Sequence, residues 1–261
     1  MSPKRPSLIT AHYILLARSF VVIVGCAAVW WGIVVFPVFW QGSSTERIAN
    51  RIIAGAPFKA EILARELAII DSIERSAYCR PAALRSAAII QLRMVEAATS
   101  ANGRNHIDEP LKPLGNAIGS SLSCSPADPF LWVVLFWMEN TQNGSDPTYL
   151  KYLRMSYQLG PNEEWVALKR NRIALANFVT LPPDLAEAGI AEFVGLVGSH
   201  LYSEAGDILA GLARLIRGLL FTRLRDIKEA DRLAFTKLLY DRGLDDIPVP
   251  GTAPPPQRPW H

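Results

Sequence analysis

Residues 19–40 read SFVVIVGCAAVWWGIVVFPVFW, 22 consecutive residues without a charged side chain. As a helix rising 1.5 Å per residue the run is roughly 33 Å long, which matches a bilayer's hydrocarbon core of about 30 Å. Lipid offers no water to backbone N–H and C=O groups, so such a run is stable there only as a helix that pairs them internally. Trp40 at one end and Tyr13 before the other suit the interfacial layers, where an aromatic body is buried and its polar tip stays wet. Pro37 falls within the last turn of the run, where the N–H it lacks costs least. The alternative is a helix buried in a soluble core, which needs fewer apolar residues than this. The run also accounts for the composition of the whole 261-residue chain, which is 50% hydrophobic and 20% charged. Its mean hydropathy is +0.15, whereas a typical soluble domain carries about 25% charged residues.

A cleaved signal sequence has a shorter apolar region and ends at a small-x-small site, which Val38-Phe39-Trp40 does not supply. The residues Ile23-Val24-Gly25-Cys26 resemble a lipobox, whose cysteine is acylated and becomes the new N-terminus. However, 14 further uncharged residues follow Cys26, where that pattern has polar chain. The segment is therefore expected to be an uncleaved anchor. Lys4, Arg5 and Arg18 precede it, and Arg47, Arg51 and Lys59 follow, a near balance that leans to a cytoplasmic N-terminus. Cys79 and Cys124 each stand two residues before a proline, at a helix start where loop ends meet. A disulfide between them suits an oxidising compartment, the alternative being two buried thiols. The expected location is the inner (cytoplasmic) membrane, single-pass, with the C-terminal domain exported to the periplasm.

Beyond the polar linker Gln41-Gly42-Ser43-Ser44-Thr45, apolar residues recur at helical spacing and period-2 alternation is nowhere sustained. Pro57 precedes Ile62, Ile69, Ile70 and Ile73. Pro81 precedes Leu84, Ala88, Leu92 and Val95, as first-turn prolines often do. Residues 100–113 read as turn-rich, with Asn102-Gly103 the strongest turn signal. Phe130 to Met138 form a nine-residue apolar run, too short to span a bilayer and expected at the centre of a core. Leu150, Leu153 and Tyr157 mark the next helix. Asn162 is the expected N-cap of another, whose stripe is Trp165, Leu168, Arg172 and Leu175. Three more follow: one from Asp184 with Ala186, Ile190, Phe193, Val194 and Val197 inward; one on Ile208, Leu212, Leu215, Ile216 and Leu219; and one from about Lys228 to Tyr240, closed by Asp241-Arg242-Gly243. The organisation predicted is 1–18 cytoplasmic, 19–40 transmembrane, 41–56 linker and short helix, 57–246 helical domain, and 247–261 a proline-rich tail in polyproline II or disorder.

Helices joined by short, proline-marked turns imply an all-α fold of stacked antiparallel hairpins. Residues 128–176 resemble a divergent tetratricopeptide unit: an aromatic helix, a turn, a second helix ending Ser156-Tyr157-Gln158-Leu159-Gly160-Pro161, and a new helix. Such repeats close their second helix with a small residue, a leucine three on and a proline five on. The resemblance covers about 35–50 residues, and Leu135 to Met138 depart from the family's usual small residues. What it implies is a protein-binding stack; the alternative is an irregular helical bundle.

Chemistry is sparse. His12, His106, His200 and His261 show no metal-ligand spacing, so no metal or cofactor is expected. Gly-x-Ser-x-Gly, P-loop and Gly-x-Gly-x-x-Gly motifs are absent, and the pairs Asp71/Glu74, Glu163/Glu164 and Asp245/Asp246 sit among basic residues as solvated faces. A net charge of +3 excludes a strongly basic nucleic-acid binder, so nucleic acid is not an expected partner. Arg214, Arg217, Arg223, Arg225 and Lys228 form a candidate contact for anions or an acidic partner, the alternative being a solvated face. Trp260 in the proline-rich tail is a candidate ligand for an aromatic groove, and Asn143-Gly144-Ser145 is a glycosylation sequon only in a eukaryotic secretory pathway. Gly25, Ala27, Ala28 and Gly32 are small enough to admit a neighbouring transmembrane helix. These readings lead to the expectation of a non-enzymatic, membrane-anchored scaffold that binds another envelope or membrane protein, for instance in polysaccharide synthesis or export. The alternative is an accessory subunit held mainly by transmembrane contacts.

Overall fold

The computed structural model describes residues 8–75, 78–102, 108–244, 246 and 248–253, and among them every regular element is helical. Lys4, Arg5, Gly103, His106, Asp245, Trp260 and His261 lie outside the described residues. The chain forms two compact units, Met1–Ala101 and Asn102–His261.

In the first unit, α1 (Leu8–Ile53) is one continuous helix of 46 residues. The stretch expected as a polar linker, Gln41 to Thr45, is helical, and Pro37 is an interior residue. The reason lies further on. Thr45 and Ala49 are buried, and Ile48 and Ile52 pack with Phe58 and Met94 on Leu63, Ile70, Ala87 and Ile90 of α2 (Ala60–Glu74) and α3 (Pro81–Asn102). That apolar stripe needs a helix behind it, and the hydroxyls of Ser44 and Thr45 donate to Glu66 Oε2 at 3.4 and 3.3 Å. Gly55, at φ +82°, ends α1 by the left-handed turn in which the Ala56 N–H reaches the Arg51 carbonyl. Ile62, expected inward, is exposed, and Leu63 takes its place in the core.

The second unit begins with α4 (Asp108–Cys124), which replaces the latter half of the expected turn-rich stretch. Pro110 falls in its first turn, where proline is tolerated. Pro113 is carried inside the helix because Leu111, Leu114, Ala117 and Ile118 are all fully buried. Next, α5 (Pro129–Asn143) is capped by the Asp128 carboxylate, which accepts from the N–H groups of Phe130 and Leu131 at 3.0 and 3.3 Å. It buries Phe130, Leu131, Val133, Val134, Phe136 and Met138, as the apolar run implied. A single tight turn, Pro147–Tyr149, leads into α6 (Leu150–Leu159). Gly160, at the end of α6, lies so close to Pro129, at the start of α5, that an added Cβ would stand 2.6 Å from the proline Cγ. The two helices are therefore antiparallel.

In α7 (Glu164–Ala176) the N-cap is Glu163, without a side-chain cap, and not Asn162. Its buried face is Val166, Ala167, Arg170, Asn171, Ala174 and Leu175; Arg172, expected on the inner stripe, is exposed. α8 (Pro183–Gly198) buries Leu185, Gly189, Phe193, Leu196 and Val197, with Ala186, Ile190 and Val194 half-buried beside them. The expected helix over Ile208 to Leu219 is two helices, α9 (Tyr202–Ala210) and α10 (Arg214–Arg223). Helix-poor Gly211 closes α9, and Ala213 is extended (ψ 147°), so Leu212 turns into the core while Leu215 and Leu219 face outward at 76% and 43% exposure. α11 (Glu229–Asp241) ends where Asp241-Arg242-Gly243 indicated. Phe193, Phe221, Phe235, Leu209, Leu220 and Leu239 centre this part of the core. The tail is not free throughout: Val249 is 3% exposed and joins the same cluster.

Candidate functional site

The apolar part of α1, Leu15–Phe36, is the one helix among the described residues long and apolar enough to cross a membrane, and none of it is buried against the protein. A core helix of a soluble domain is mostly covered, whereas Trp30, Trp31 and Ile33 here are about two-thirds exposed (69%, 70% and 64%). An anchor or a signal sequence has this character. Gly25, Ala28 and Gly32 share one exposed face by helical spacing, and a Cβ at Gly25 or Gly32 would meet nothing within 4 Å.

The densest polar chemistry is inside the second unit, around a fully buried Arg170. Its five donors are all used. Nη1 donates to the Ser156 carbonyl and hydroxyl at 2.6 and 3.1 Å, and Nη2 to the Gly160 carbonyl at 3.0 Å. Nε and Nη2 both reach Glu192 Oε1, at 3.0 and 2.6 Å. The guanidinium also sits 4.2 Å from the centre of the Tyr157 ring. Arg170 therefore binds carbonyls at the end of α6, sharing that of Ser156 with the Gly160 N–H, where a cation is also favoured by the helix dipole. Glu192 further accepts from Tyr157 Oη at 3.2 Å and from Asn171 Nδ2 at 3.4 Å, while Asn171 Nδ2 donates to the Gly189 carbonyl at 2.8 Å. Arg170 pairs with Glu192, and the next residue, Asn171, with the earlier Gly189, so α7 and α8 run antiparallel. Burial pushes the Glu192 carboxyl up, and Arg170, Asn171 and Tyr157 pull it part of the way back. Burial, followed by the charge of Glu192, pushes the Tyr157 phenol far up, so it stays a neutral donor. The guanidinium's donors are all matched, the Asn171 Oδ1 alone in the group is buried without a partner, and the chemistry of the group is the fastening of α6, α7 and α8.

A second group lies at the corner between α8 and α9. His200 takes a left-handed backbone (φ 67°), a conformation rare outside glycine. Its Nδ1 is 2.7 Å from Tyr202 Oη, which donates to the buried Asp231 Oδ1 at 2.9 Å. This ties the corner to the first turn of α11. No cluster of three His, Cys, Asp or Glu suited to a metal occurs among the described residues.

The five expected cations do not converge on one point. Arg217 donates to Asp246 Oδ1 at 2.7 Å, and Arg214 to the Asp246 carbonyl at 3.2 Å. Arg223 grips Glu187 of α8 with two bonds of 2.6 and 3.1 Å, while Arg225 and Lys228 are exposed beyond α10. Cys79 and Cys124 are both disulfide-bonded, and Cys26 is a free, exposed thiol. Asp71, weighed above as half of a carboxylate pair, is bonded instead to Arg75 at 3.1 Å. No family model, curated protein or solved structure matches the chain.

Proposed function

We propose that the protein is a non-enzymatic scaffold, held in the inner membrane by α1 with its N-terminus in the cytoplasm. Its exported helical domain, a tetratricopeptide-like stack of hairpins, binds a partner protein of a cell-envelope assembly, for instance one that makes or exports polysaccharide. Support comes above all from the continuity of α1. The helix that is bare and apolar over Leu15–Phe36 becomes, without a break, the helix whose Thr45 and Ala49 are buried in the fold. An anchor has to transmit position to its domain, whereas a leader is discarded. The disulfide-bonded Cys79 and Cys124 favour an oxidising side for the domain, and paired antiparallel helices offer an extended binding surface of the kind repeat proteins use.

Full-length protein should stay in the membrane pellet after alkaline carbonate washing, with its N-terminal peptide still detected by mass spectrometry. A mature chain beginning at Cys26, or beyond residue 40, would reject the anchor. A partner captured in mild detergent should remain after residues 15–36 are exchanged for an unrelated spanning helix. Loss of that partner with the domain still folded assigns recognition to the open Gly25, Ala28 and Gly32 face, the accessory-subunit reading. Turnover of a small molecule by the purified chain would overturn the non-enzymatic reading.

A further inference from the structure

We propose that the outer face of α10 rests on the surface of an anionic bilayer. The helix buries Ile216, Leu220 and Phe221, and turns Leu215 and Leu219 to solvent at 76% and 43% exposure. At 100° per residue the exposed face is centred on Leu215 and Thr222, with Leu219 and Gly218 beside them, Arg214 on one flank and Arg223 on the other. Leucines in the middle and arginines on both edges are the arrangement of a helix lying in the interface plane, its apolar side chains among the acyl chains and its long cations among the phosphates. Arg214 donates only to a backbone carbonyl, so its charge is not neutralised, whereas Arg217 and Arg223 are answered by Asp246 and Glu187. Arg225 and Lys228 add two exposed cations just beyond the helix, with Asp226 the one acid between α10 and α11.

Two leucines one turn apart make too narrow a strip for the core of a protein interface, which gathers aromatic anchors over a larger area. A bilayer asks less. This inference rests on α1 being an anchor, because a tethered domain meets lipid at high effective concentration and a shallow contact then suffices.

The test uses full-length protein in nanodiscs of phosphatidylcholine with or without phosphatidylglycerol. Cys26→Ser removes the free thiol, the disulfide-bonded cysteines stay unlabelled, and one nitroxide is placed at Leu215→Cys, Val29→Cys or Val179→Cys. Val29 reports α1, and Val179, 88% exposed, reports water. With phosphatidylglycerol, the ratio of oxygen to nickel-chelate collisions at 215 should exceed that at 179 several-fold. It should fall towards the 179 value in pure phosphatidylcholine or with Arg214→Gln and Arg223→Gln together. Equal ratios at 215 and 179, with 29 reading lipid, overturn the α10 contact and leave the anchor standing. A water-like 29 with a lipid-like 215 overturns the anchor and keeps the contact, and water-like values at both overturn both. Spin–spin broadening at 215 identifies a second copy there, and protection from both reagents identifies a protein occupant; either result rejects the bilayer.

Discussion

Arg170 shows how one side chain can decide the packing of three helices. A buried guanidinium is costly to desolvate, and it persists here because all five N–H groups are matched and a carboxylate lies 2.6 Å away. Arg170→Leu would leave Glu192 buried without its counter-charge, and the expected loss is about 3–5 kcal/mol in chemical denaturation followed by tryptophan fluorescence. Arg170→Leu with Glu192→Leu removes both charges and should recover most of that loss; a double variant as weak as the single one would show that the geometry of the arginine, not the pairing, is what matters. The single variant should also acquire a pH dependence. Burial already raises the Glu192 carboxyl, and without Arg170 it rises further. Above the ordinary carboxylate range the folded state then holds a proton that the unfolded chain has released. Stability is therefore present in full below that range and lost as the pH climbs towards the raised native value, so the variant should be relatively firmer at about pH 5 than at about pH 8. A flat difference from the wild type across that interval would refute the assignment.

Between elements, Gly160 packs against Pro129 more tightly than any other glycine among the described residues packs on its neighbours. An added Cβ would stand 2.6 and 2.8 Å from the proline Cγ and Cβ, and a pyrrolidine ring cannot swing away as a flexible side chain does. Gly160→Ala should therefore cost about 1–3 kcal/mol, and Pro129→Ala in the same chain should return part of it; no rescue would mean that the strain lies elsewhere. How far these elements could be read in advance depends on what announced them. α5 carried its own notice in the aspartate cap, first-turn proline and dense apolar run, and α11 ended at its glycine. α4 begins inside residues 100–113, which read as turn-rich on the signal of Asn102-Gly103, although Leu111, Leu114, Ile118 and Leu122 keep a helical period throughout. The split between α9 and α10 was hidden for the opposite reason. A good period runs across Gly211, and only the extended Ala213 shows that Leu215 and Leu219 have been rotated out of the core. The fastening around Arg170 was illegible for a third reason: its partners Ser156, Gly160 and Glu192 are brought together only by the fold.

For the molecule as a whole, the question is which compartment surrounds the helices that follow α1, and the cysteines make it measurable. The chain has three of them. Cys26 lies in the apolar part of α1 as a free thiol, while Cys79 and Cys124 are disulfide-bonded. Glutathione and thioredoxin keep cytosolic thiols reduced, so those two residues are oxidised in the cell only if the domain has been exported. Protein trapped from cells with acid, denatured and treated with a maleimide of known mass should gain one adduct without reductant and three after reduction. The two later adducts should map to the peptides of Cys79 and Cys124. Three adducts before reduction would place the domain on the cytoplasmic side, reversing the orientation. In that event the basic residues Arg47, Arg51 and Lys59, not those before α1, would be the ones retained inside.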